Sequence, residues 1–289
     1  MSRYFTCYAV LCVILCRKSS CKENVVDLSH DVDEDSSVWV TGEPYEIVKS
    51  SKGYAAGGYW YETYRFCMNE HTGTHLDAPS HFAEGKWSVE QIPLDHLMGP
   101  GVVIDIRDKV VKDPNAELTT DDVMSWLDEH GPLPNGVIVF VRTGWASRYS
   151  NKTAYFGTDK NDTTKLVFPG ISKGAAQLLV SHEAVSGNKV VGVGLDTPSL
   201  DYGKSQDFET HQTFMRANVY GLENVANLDR LPTKGFSVIV MPIKLRGGSG
   251  GPARILATMP TSGGASLSSA FVGSSFVLAL NLLCLCHMF

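Results

Sequence analysis

The central part of the sequence contains almost no cysteine. Six of the seven cysteines lie among the first 21 or the last six residues, and only Cys67 lies between them. This scarcity excludes a small domain held together by several disulfides. Two states remain open for Cys67: an ordinary buried thiol, which we favour, and a disulfide with Cys21.

Clusters of basic residues are also missing. The longest run of Lys and Arg is Arg17-Lys18, and 25 basic residues against 31 acidic ones give a formal net charge of −6. Because binding to nucleic acid needs a basic surface, we expect no nucleic-acid partner. Charged residues make up 19% of the 289 residues and hydrophobic ones 43%, which predicts a large packed core and excludes a disordered chain.

The N-terminal segment has the pattern of a secretion signal. Residues 4–16 read YFTCYAVLCVILC, follow Arg3 and precede a polar stretch. This run is too short to span a bilayer comfortably, but its length suits the apolar part of a signal peptide. We therefore predict a signal peptide over residues 1–21, cleaved after Cys21. The alternative is a buried first strand.

The C-terminal segment, residues 263–289, resembles the signal for a glycolipid (GPI) anchor. A patch of small residues, TSGGASLSSA, precedes the uncharged tail FVGSSFVLALNLLCLCHMF. In such signals the tail is removed and a lipid is attached to a small residue, here Ser262, Gly263 or Gly264. The alternative is a transmembrane helix, although no basic residue follows the tail.

Two N-glycosylation triplets also favour a protein of the secretory pathway. Asn151-Lys-Thr and Asn161-Asp-Thr lie ten positions apart in a polar stretch. Together with the two end segments they predict a glycosylated surface loop. We thus expect a mature protein of the secretory pathway, extracellular or at the cell surface, which meets the membrane only through a lipid anchor or a C-terminal helix.

Residues 22–262 form the body, which we interpret as one α/β domain. Apolar runs rich in Val and Ile predict buried strands, and capped stretches between them predict helices. Because strands and helices alternate only partly, we expect a mixed sheet with helices packed outside it. The predicted strands are 101–106, 136–143, 189–196, 236–245 and 253–259, and the predicted helices are 119–131, 171–185 and 208–219.

Three other features have structural interpretations. The aromatic run Tyr59-Trp60-Tyr61 predicts core and sheet positions and not a ligand cage. Asp196 follows a predicted strand, where capping of a turn is the preferred role and a place in the site the alternative. The segment that begins at Arg246, RGGSGG, lacks the Lys-Ser/Thr of a phosphate loop and predicts a hairpin turn.

Residues that carry chemistry concentrate in one segment, HTGTHLDAPSHF, which begins at His71. It contains His71, His75, Asp77 and His81, so three of the nine histidines fall within eleven positions. Imidazole and carboxylate are the usual ligands of Zn and Mn. Gly73 and its neighbouring threonines argue against a helix and favour a tight loop around a metal. The alternative is a solvated loop that holds histidines by chance.

This segment resembles the H-x-G-T-H-x-D-x-P-x-H-F signature of the cyclase family, which includes bacterial kynurenine formamidases and isatin hydrolases. Every fixed position of the signature is matched. The similarity extends over most of the body and implies the family's layered β/β/α, swivelling-domain-like fold. Further matching segments are DLS at 27–29 followed by Trp39, GLDTPSLD at 194–201, His211 with Glu223 twelve residues later, and MPIKLRGGSGGPAR at 241–254.

The resemblance also implies a ligand set. His71, His75 and Asp77 match the first group of metal ligands in the formamidases, and His211 and Glu223 match the second. Asp77 would touch both ions of a two-metal site. The expected cofactor is therefore a divalent metal, Zn by preference and Mn as the alternative, in one or two copies.

The same resemblance also implies roles for His81 and Trp39. His81 matches the catalytic proton donor and acceptor, and Trp39 matches an aromatic residue that packs on the substrate ring. The family usually continues Trp-Pro-Gly, whereas this chain reads Trp39-Val-Thr-Gly. This departure concerns the part of the site that would touch the substrate.

The expected function is hydrolysis of a small-molecule amide. A bound Zn or Mn lowers the pKa of water from about 16 to about 7 and polarises a carbonyl, and a histidine outside the metal shell can protonate the leaving amine. We expect an arylformamidase that acts on an N-formylkynurenine-like aryl-formamide in tryptophan catabolism. The alternatives are hydrolysis of another cyclic amide or lactone of the isatin type, and a non-catalytic secreted binding protein. A homodimer is expected.

Overall fold

The computed structural model describes residues 24–260. The predicted signal peptide, its cleavage site at Cys21 and the predicted C-terminal anchor segment lie outside the described residues. Asn24–Met259 form one compact unit. Between residues 24 and 260, none of the helices combines the length and the apolar character that crossing a bilayer requires.

Twelve strands lie in the described part of the chain, and eight of them form one mixed sheet. Four neighbouring strands of this sheet run parallel, in the order β5-β7-β9-β10, and the strands around them pair antiparallel. The strands are β1 (Asn24–Asp27), β2 (Glu46–Tyr54), β3 (Trp60–Cys67), β4 (His75–Asp77), β5 (Met98–Asp105), β6 (Glu117–Leu118), β7 (Val137–Arg142), β8 (Gly170–Ile171), β9 (Val190–Leu195), β10 (Tyr220–Glu223), β11 (Lys234–Pro242) and β12 (Gly250–Met259).

The short strand β4 closes the large sheet on itself. The strand order is β1-β12-β11-β5-β7-β9-β10-β4, and β4 pairs with β12 as well as with β10. The result is a barrel-like arrangement. The expected mixed α/β domain is thus confirmed, whereas the β/β/α layering that the resemblance implied stays a prediction. What the structure shows is a sheet in which β4 links β10 to β12.

Within residues 24–260, five α-helices accompany the sheet. They are α1 (Arg107–Val110), α2 (Thr120–His130), α3 (Lys152–Phe156), α4 (Lys173–Ser186) and α5 (Glu209–Arg216). The start of α2 is fixed by a capping box, in which the backbone N–H of Thr119 donates to Asp122 Oδ2 at 2.7 Å. The three predicted helices correspond to α2, α4 and α5, and the five predicted strands to β5, β7, β9, β11 and β12.

The sheet has apolar residues on both faces. Along β7, Val137, Val139 and Val141 join the cluster that packs under the helices, whereas Ile138 and Phe140 join a second cluster inside the curved sheet. This alternation follows from the two-residue repeat of a strand. Burial on both faces explains why the central strands read as continuous Val- and Ile-rich runs.

Strands β2 and β3 form a separate hairpin that is hydrogen-bonded to no strand of the large sheet. Here two predictions are wrong. Tyr59, Trp60 and Tyr61 are 62%, 51% and 52% exposed, so they do not belong to the core, although Trp60 and Tyr61 do lie in a strand. Cys67 is exposed and not a buried thiol, and its alternative partner Cys21 lies outside the described residues.

Gly250 leaves the space that β4 needs. It lies opposite Asp77 in the β12–β4 pairing. A Cβ atom at this position would come within 2.6 Å of His71 Cε1 and of the Leu76 carbonyl oxygen. The closure of the sheet therefore depends on a residue without a side chain at this position.

We predict that Gly250→Ala lowers the stability of the protein by about 1–3 kcal/mol, because the extra methyl group overpacks a backbone contact. Gly174→Ala in α4 is the matched control, since its Cβ would meet only Thr120 Oγ1 at 3.1 Å. In urea denaturation the control should match or exceed the wild type. Equal midpoints for both variants would contradict the assigned role of Gly250.

Candidate metal centre

The pairing of β4 with β10 brings one imidazole and two carboxylates together. His75 and Asp77 lie two residues apart on one face of β4, while Leu76 between them enters the core. Glu223 on β10 lies directly opposite His75. His75 Nε2 is consequently 3.2 Å from Asp77 Oδ1 and 3.3 Å from Glu223 Oε2. The segment expected to be a loop is thus a strand at His75 and Asp77.

Helix α5 brings a fourth group. His211 lies in the first turn of α5 and is 3% exposed. Its Nε2 atom is 3.0 Å from Glu223 Oε1 and 3.3 Å from Asp77 Oδ2. The pair of residues that the sequence separates by twelve positions is therefore adjacent to the β4 pair.

His71 completes the cluster from the segment just before β4. Its Nδ1 atom is 2.6 Å from Asp77 Oδ1, and its Nε2 atom is 3.1 Å from Ser249 Oγ. The Ser249 hydroxyl donates to Glu70 Oε2 at 2.6 Å. The five residues proposed as ligands on sequence grounds all converge at one point.

The hydrogen bonds around the three imidazoles direct their lone pairs inward. In the neutral rings, His75 Nδ1–H donates to the Gly73 carbonyl at 2.9 Å and His211 Nδ1–H donates to Asp201 Oδ2 at 2.6 Å. Because the Ser249 hydroxyl proton is directed to a carboxylate, Ser249 accepts from His71 Nε2–H. The remaining lone pair of each ring then faces a carboxylate.

Lone pairs that face carboxylate oxygens repel unless a cation lies between them. His75 Nε2 and Asp77 Oδ2 are buried and lack any hydrogen-bond partner. Three neutral imidazoles and two carboxylates carry a charge of −2, which one divalent cation balances. The donor set therefore fits a divalent metal, and nitrogen and oxygen ligands of this kind suit both Zn and Mn.

The raised pKa values of two histidines also indicate that the cluster favours a positive charge. Burial opposes protonation of His75, but Asp77 and Glu223 outweigh it and raise the pKa of His75 to about 10. The pKa of His211 is also raised, because the nearby carboxylates of Asp201, Asp77 and Glu223 overcome the effect of burial. In the absence of a metal, a proton would occupy the place of the cation.

His81 lies beside the cluster at the mouth of a pocket. Its ring stacks on His71 with centroids 4.1 Å apart, and part of the residue is open to solvent. Desolvation of the ring by its neighbours lowers the pKa of His81 to about 4, so the imidazole is neutral at pH 7. Ligand atoms of His71, Asp77 and His81 also fall within 4.8 Å of one another, so geometry alone permits His81 to act as a ligand.

The pocket next to the cluster has aromatic walls and a volume of about 300 Å³. Trp39, Phe82, Phe156 and Phe208 line it together with the histidines. The Phe208 ring is 5.3 Å from that of Phe82 and 6.2 Å from that of Trp39. The wall therefore offers apolar contacts close to His81, and Trp39 forms part of it. Packing of Trp39 on a substrate ring stays a prediction.

Two further residues of the site, Asp201 and Phe208, are not predicted from the sequence. Asp201 holds His211 through the Nδ1 hydrogen bond and also accepts the backbone N–H of His211 at 3.1 Å. Phe208 adopts a left-handed backbone conformation with φ of 50° just before α5, which is strained for a bulky residue. Asp201 ends the GLDTPSLD segment and could have been singled out there, whereas nothing in the sequence marks Phe208.

The remaining candidates have structural roles. Asp196 accepts hydrogen bonds from the backbone N–H and the hydroxyl of Thr143 at 2.9 and 2.6 Å, so its side chain links the segments that follow β7 and β9 and does not cap its own turn. The segment Gly247-Gly-Ser-Gly-Gly has the letters of a G-x-S-x-G nucleophile motif, but Ser249 lies in the turn before β12 and not between a strand and a helix. Its hydroxyl is a hydrogen-bond link in the cluster.

Comparisons with known proteins identify the family of this chain. The family model described as putative cyclase matches residues 26–202. The isatin hydrolase of Roseibium aggregatum is 33% identical over 223 residues, which cover 74% of this chain and 81% of that protein. The chain belongs to the cyclase family. The resemblance found in the sequence is thereby confirmed.

Other relatives and solved structures agree with this placement. The kynurenine formamidase of Polaromonas naphthalenivorans is 28% identical over 195 residues, which cover 66% of this chain and 72% of that protein. The structure of isatin hydrolase A from Labrenzia aggregata bound to benzyl benzoate superimposes with a TM-score of 0.74 and 30% identity, over 83% of this chain and 94% of that one. Each of these relatives is a hydrolase, which supports an amide hydrolase here.

We predict that Asp201→Asn weakens metal binding by about 10–100-fold, because the amide no longer orients His211 as the carboxylate does. His130→Ala is the control, since His130 lies at the end of α2 outside the cluster. The metal content of both variants, measured by elemental analysis after dialysis against a graded chelator, tests this. Unchanged metal retention in Asp201→Asn would show that the hydrogen bond does not position the ligand.

Proposed function

We propose that the protein is a metal-dependent hydrolase of an amide bond attached to an aromatic ring, with a cyclic aryl amide of the isatin type as the preferred substrate. The observation that carries the proposal is the aromatic pocket, which opens beside both the His/Asp/Glu cluster and His81 and offers apolar walls to a flat ring. The 33% identity with an isatin hydrolase supports the choice of substrate.

The ligand residues would be His71, His75, Asp77, His211 and Glu223, and Zn is the proposed metal, with Mn as the alternative. When bound, the ion supplies Lewis acidity, which favours ionisation of water and polarises a carbonyl. Asp77 and Glu223 retain the ion through their charge. One or two ions are consistent with the cluster, because the two carboxylate oxygens of Asp77 face different imidazoles: Oδ1 is 2.6 Å from His71 Nδ1 and Oδ2 is 3.3 Å from His211 Nε2.

His81 would transfer the proton. A ring with a pKa of about 4 is neutral at pH 7 and can accept a proton from the attacking water. Once protonated, the same ring is acidic enough to give that proton to the nitrogen of the breaking C–N bond. Its position stacked on His71 puts the ring next to the ligands, where both transfers would take place.

A second candidate substrate is an aryl-formamide of the N-formylkynurenine type. Kynurenine formamidases from several bacteria are 25–28% identical to the chain. The same pocket accepts a single aromatic ring with an attached formamide, and the same proton transfer applies. Arylformamidase activity is therefore the alternative function, and it would use the same mechanism.

Turnover of both compounds by the metal-loaded protein tests the proposal. We expect hydrolysis of isatin with a kcat/KM higher than that of N-formylkynurenine, and loss of activity after chelation. A reversed preference would identify an arylformamidase. Metal binding without turnover of either compound, or of other cyclic amides and lactones, would favour the non-catalytic binding protein.

We predict that His81→Ala lowers kcat by about 10²–10⁴-fold, the usual contribution of a general acid and base. The metal content should stay near that of the wild type, because five other ligand residues remain. The His130→Ala control should keep full activity. Loss of metal from His81→Ala would instead identify His81 as a ligand.

We also propose that the mature protein is glycosylated and anchored by a lipid at the outer cell surface. Asn151 and Asn161 are both exposed, as attachment of an oligosaccharide requires. Such a location separates the enzyme from a cytosolic pathway of tryptophan breakdown, which is a further reason to prefer another amide over N-formylkynurenine.

We predict that a phospholipase specific for the glycolipid anchor releases the protein from intact cells, and that a glycosidase then lowers its apparent mass. Asn151→Gln and Asn161→Gln should each remove one step of that mass shift. Retention in the membrane with an intact C-terminal tail would favour a transmembrane helix. Recovery from the cytosol, unglycosylated and starting at Met1, would refute the proposed location.

A further inference from the structure

Asn224 lies directly after Glu223 of the cluster and is 2% exposed. Its backbone N–H donates to the Thr197 carbonyl at 2.9 Å, and its backbone carbonyl accepts from the Thr74 hydroxyl at 2.6 Å. Its φ of 54° is left-handed, a conformation that asparagine adopts more readily than most residues with a side chain. The backbone therefore holds Asn224 in one place beside the cluster.

The side-chain amide of Asn224 joins Tyr155 to the backbone group that binds His75. Asn224 Nδ2 donates to the Gly73 carbonyl at 2.8 Å, and the same carbonyl accepts from His75 Nδ1–H at 2.9 Å. Asn224 Oδ1 accepts from the hydroxyl of Tyr155 at 2.9 Å. The reverse orientation of the amide would place two carbonyl oxygens in contact, which repel each other. Three hydrogen bonds thus connect the Tyr155 hydroxyl to the ring of His75.

The Gly73 carbonyl decides how His75 presents itself to the cluster. His75 Nε2 faces Asp77 and Glu223, and it offers a lone pair to a metal only while the proton of the neutral ring is on Nδ1. An acceptor at Nδ1 selects this tautomer and fixes the plane of the ring. The Gly73 carbonyl has two lone pairs, one for His75 and one for Asn224, so the amide fixes the direction of the acceptor.

We infer that Tyr155 and Asn224 are positioning residues of the metal centre. Asn224 holds the Gly73 carbonyl that orients His75, and Tyr155 holds the amide of Asn224. The inference rests on the part of the proposed function that makes His75 a metal ligand. Asn224 also lines the aromatic pocket, and Phe156 of the pocket wall follows Tyr155 in α3. The same two elements therefore shape the pocket and the metal centre.

Tyr220 provides a comparison for a purely structural role of Tyr155. Both tyrosines are buried, with 0% and 1% exposure. The hydroxyl of Tyr220 donates to the His96 carbonyl at 3.0 Å, a group that is not part of the cluster. Removal of either hydroxyl costs one buried hydrogen bond. A structural role predicts the same consequences for both residues, whereas a positioning role predicts weaker metal binding for Tyr155 alone.

The affinity for Zn²⁺, measured by competition with a chromogenic chelator, tests the inference. We expect about 10-fold weaker binding in Tyr155→Phe and about 10–100-fold weaker binding in Asn224→Gly, since glycine keeps the left-handed backbone without strain. Tyr220→Phe should bind Zn²⁺ like the wild type, although its midpoint in urea falls as much as that of Tyr155→Phe. Adding Tyr155→Phe to Asn224→Gly should weaken binding no further, because Tyr155 acts through the amide.

NMR of the zinc-loaded protein observes the hydrogen bond itself and guards against an Asn224→Gly variant that fails to fold. The Nδ1 proton resonance of His75 should move in Tyr155→Phe and stay in place in Tyr220→Phe. Wild-type affinity of Tyr155→Phe, equal weakening in Tyr220→Phe, or a resonance that does not move in Tyr155→Phe would each overturn the inference. Failure of the proposed hydrolase activity would appear separately, as a wild type that binds Zn²⁺ without turnover.

Discussion

The buried carboxylate of Asp77 is the group on which the site and the closure of the sheet both depend. It is 1% exposed and contacts His71, His75 and His211. A buried charge without compensation is costly, so the three imidazoles and the cation they favour are needed to retain it. Since Asp77 belongs to β4, metal binding and the closure of the sheet should stabilise each other.

The backbone register makes this arrangement possible. Both residues that lie opposite Asp77, Gly221 on β10 and Gly250 on β12, are glycines. A Cβ atom at Gly221 would come within 2.8 Å of Leu200, and one at Gly250 within 2.6 Å of His71. The missing side chain at Gly250 therefore leaves room for the His71 ring, and the one at Gly221 leaves room for Leu200 beside Asp77.

Much of the site could be predicted from the sequence because His71, His75 and Asp77 are close along the chain. A spacing of two residues fixes a common face once the segment is a strand. The pairing of His211 with Glu223 came only from the resemblance to the cyclase family, because their contact depends on how α5 packs against β10. Helix propensity and hydrophobic pattern do not encode that packing.

The parts that the sequence did not predict share a physical reason. The strand β4 has only three residues, and its flanking Gly and Pro suggested a loop, so tertiary hydrogen bonds to two strands decided its conformation. The aromatic residues around Trp60 have high strand propensity, which cannot show whether a strand is buried. Exposure of these residues and of Cys67 follows from tertiary packing, because the hairpin pairs with no strand of the large sheet.

The hairpin and the metal cluster are mechanically connected through a short segment. Strand β3 ends at Cys67, and His71 follows only four residues later. Between them, Glu70 accepts hydrogen bonds from the backbone N–H and the hydroxyl of Ser249 at 3.1 and 2.6 Å, and Ser249 orients the ring of His71. The position of the hairpin is therefore linked, through four residues and these hydrogen bonds, to the orientation of the His71 ring in the His/Asp/Glu cluster.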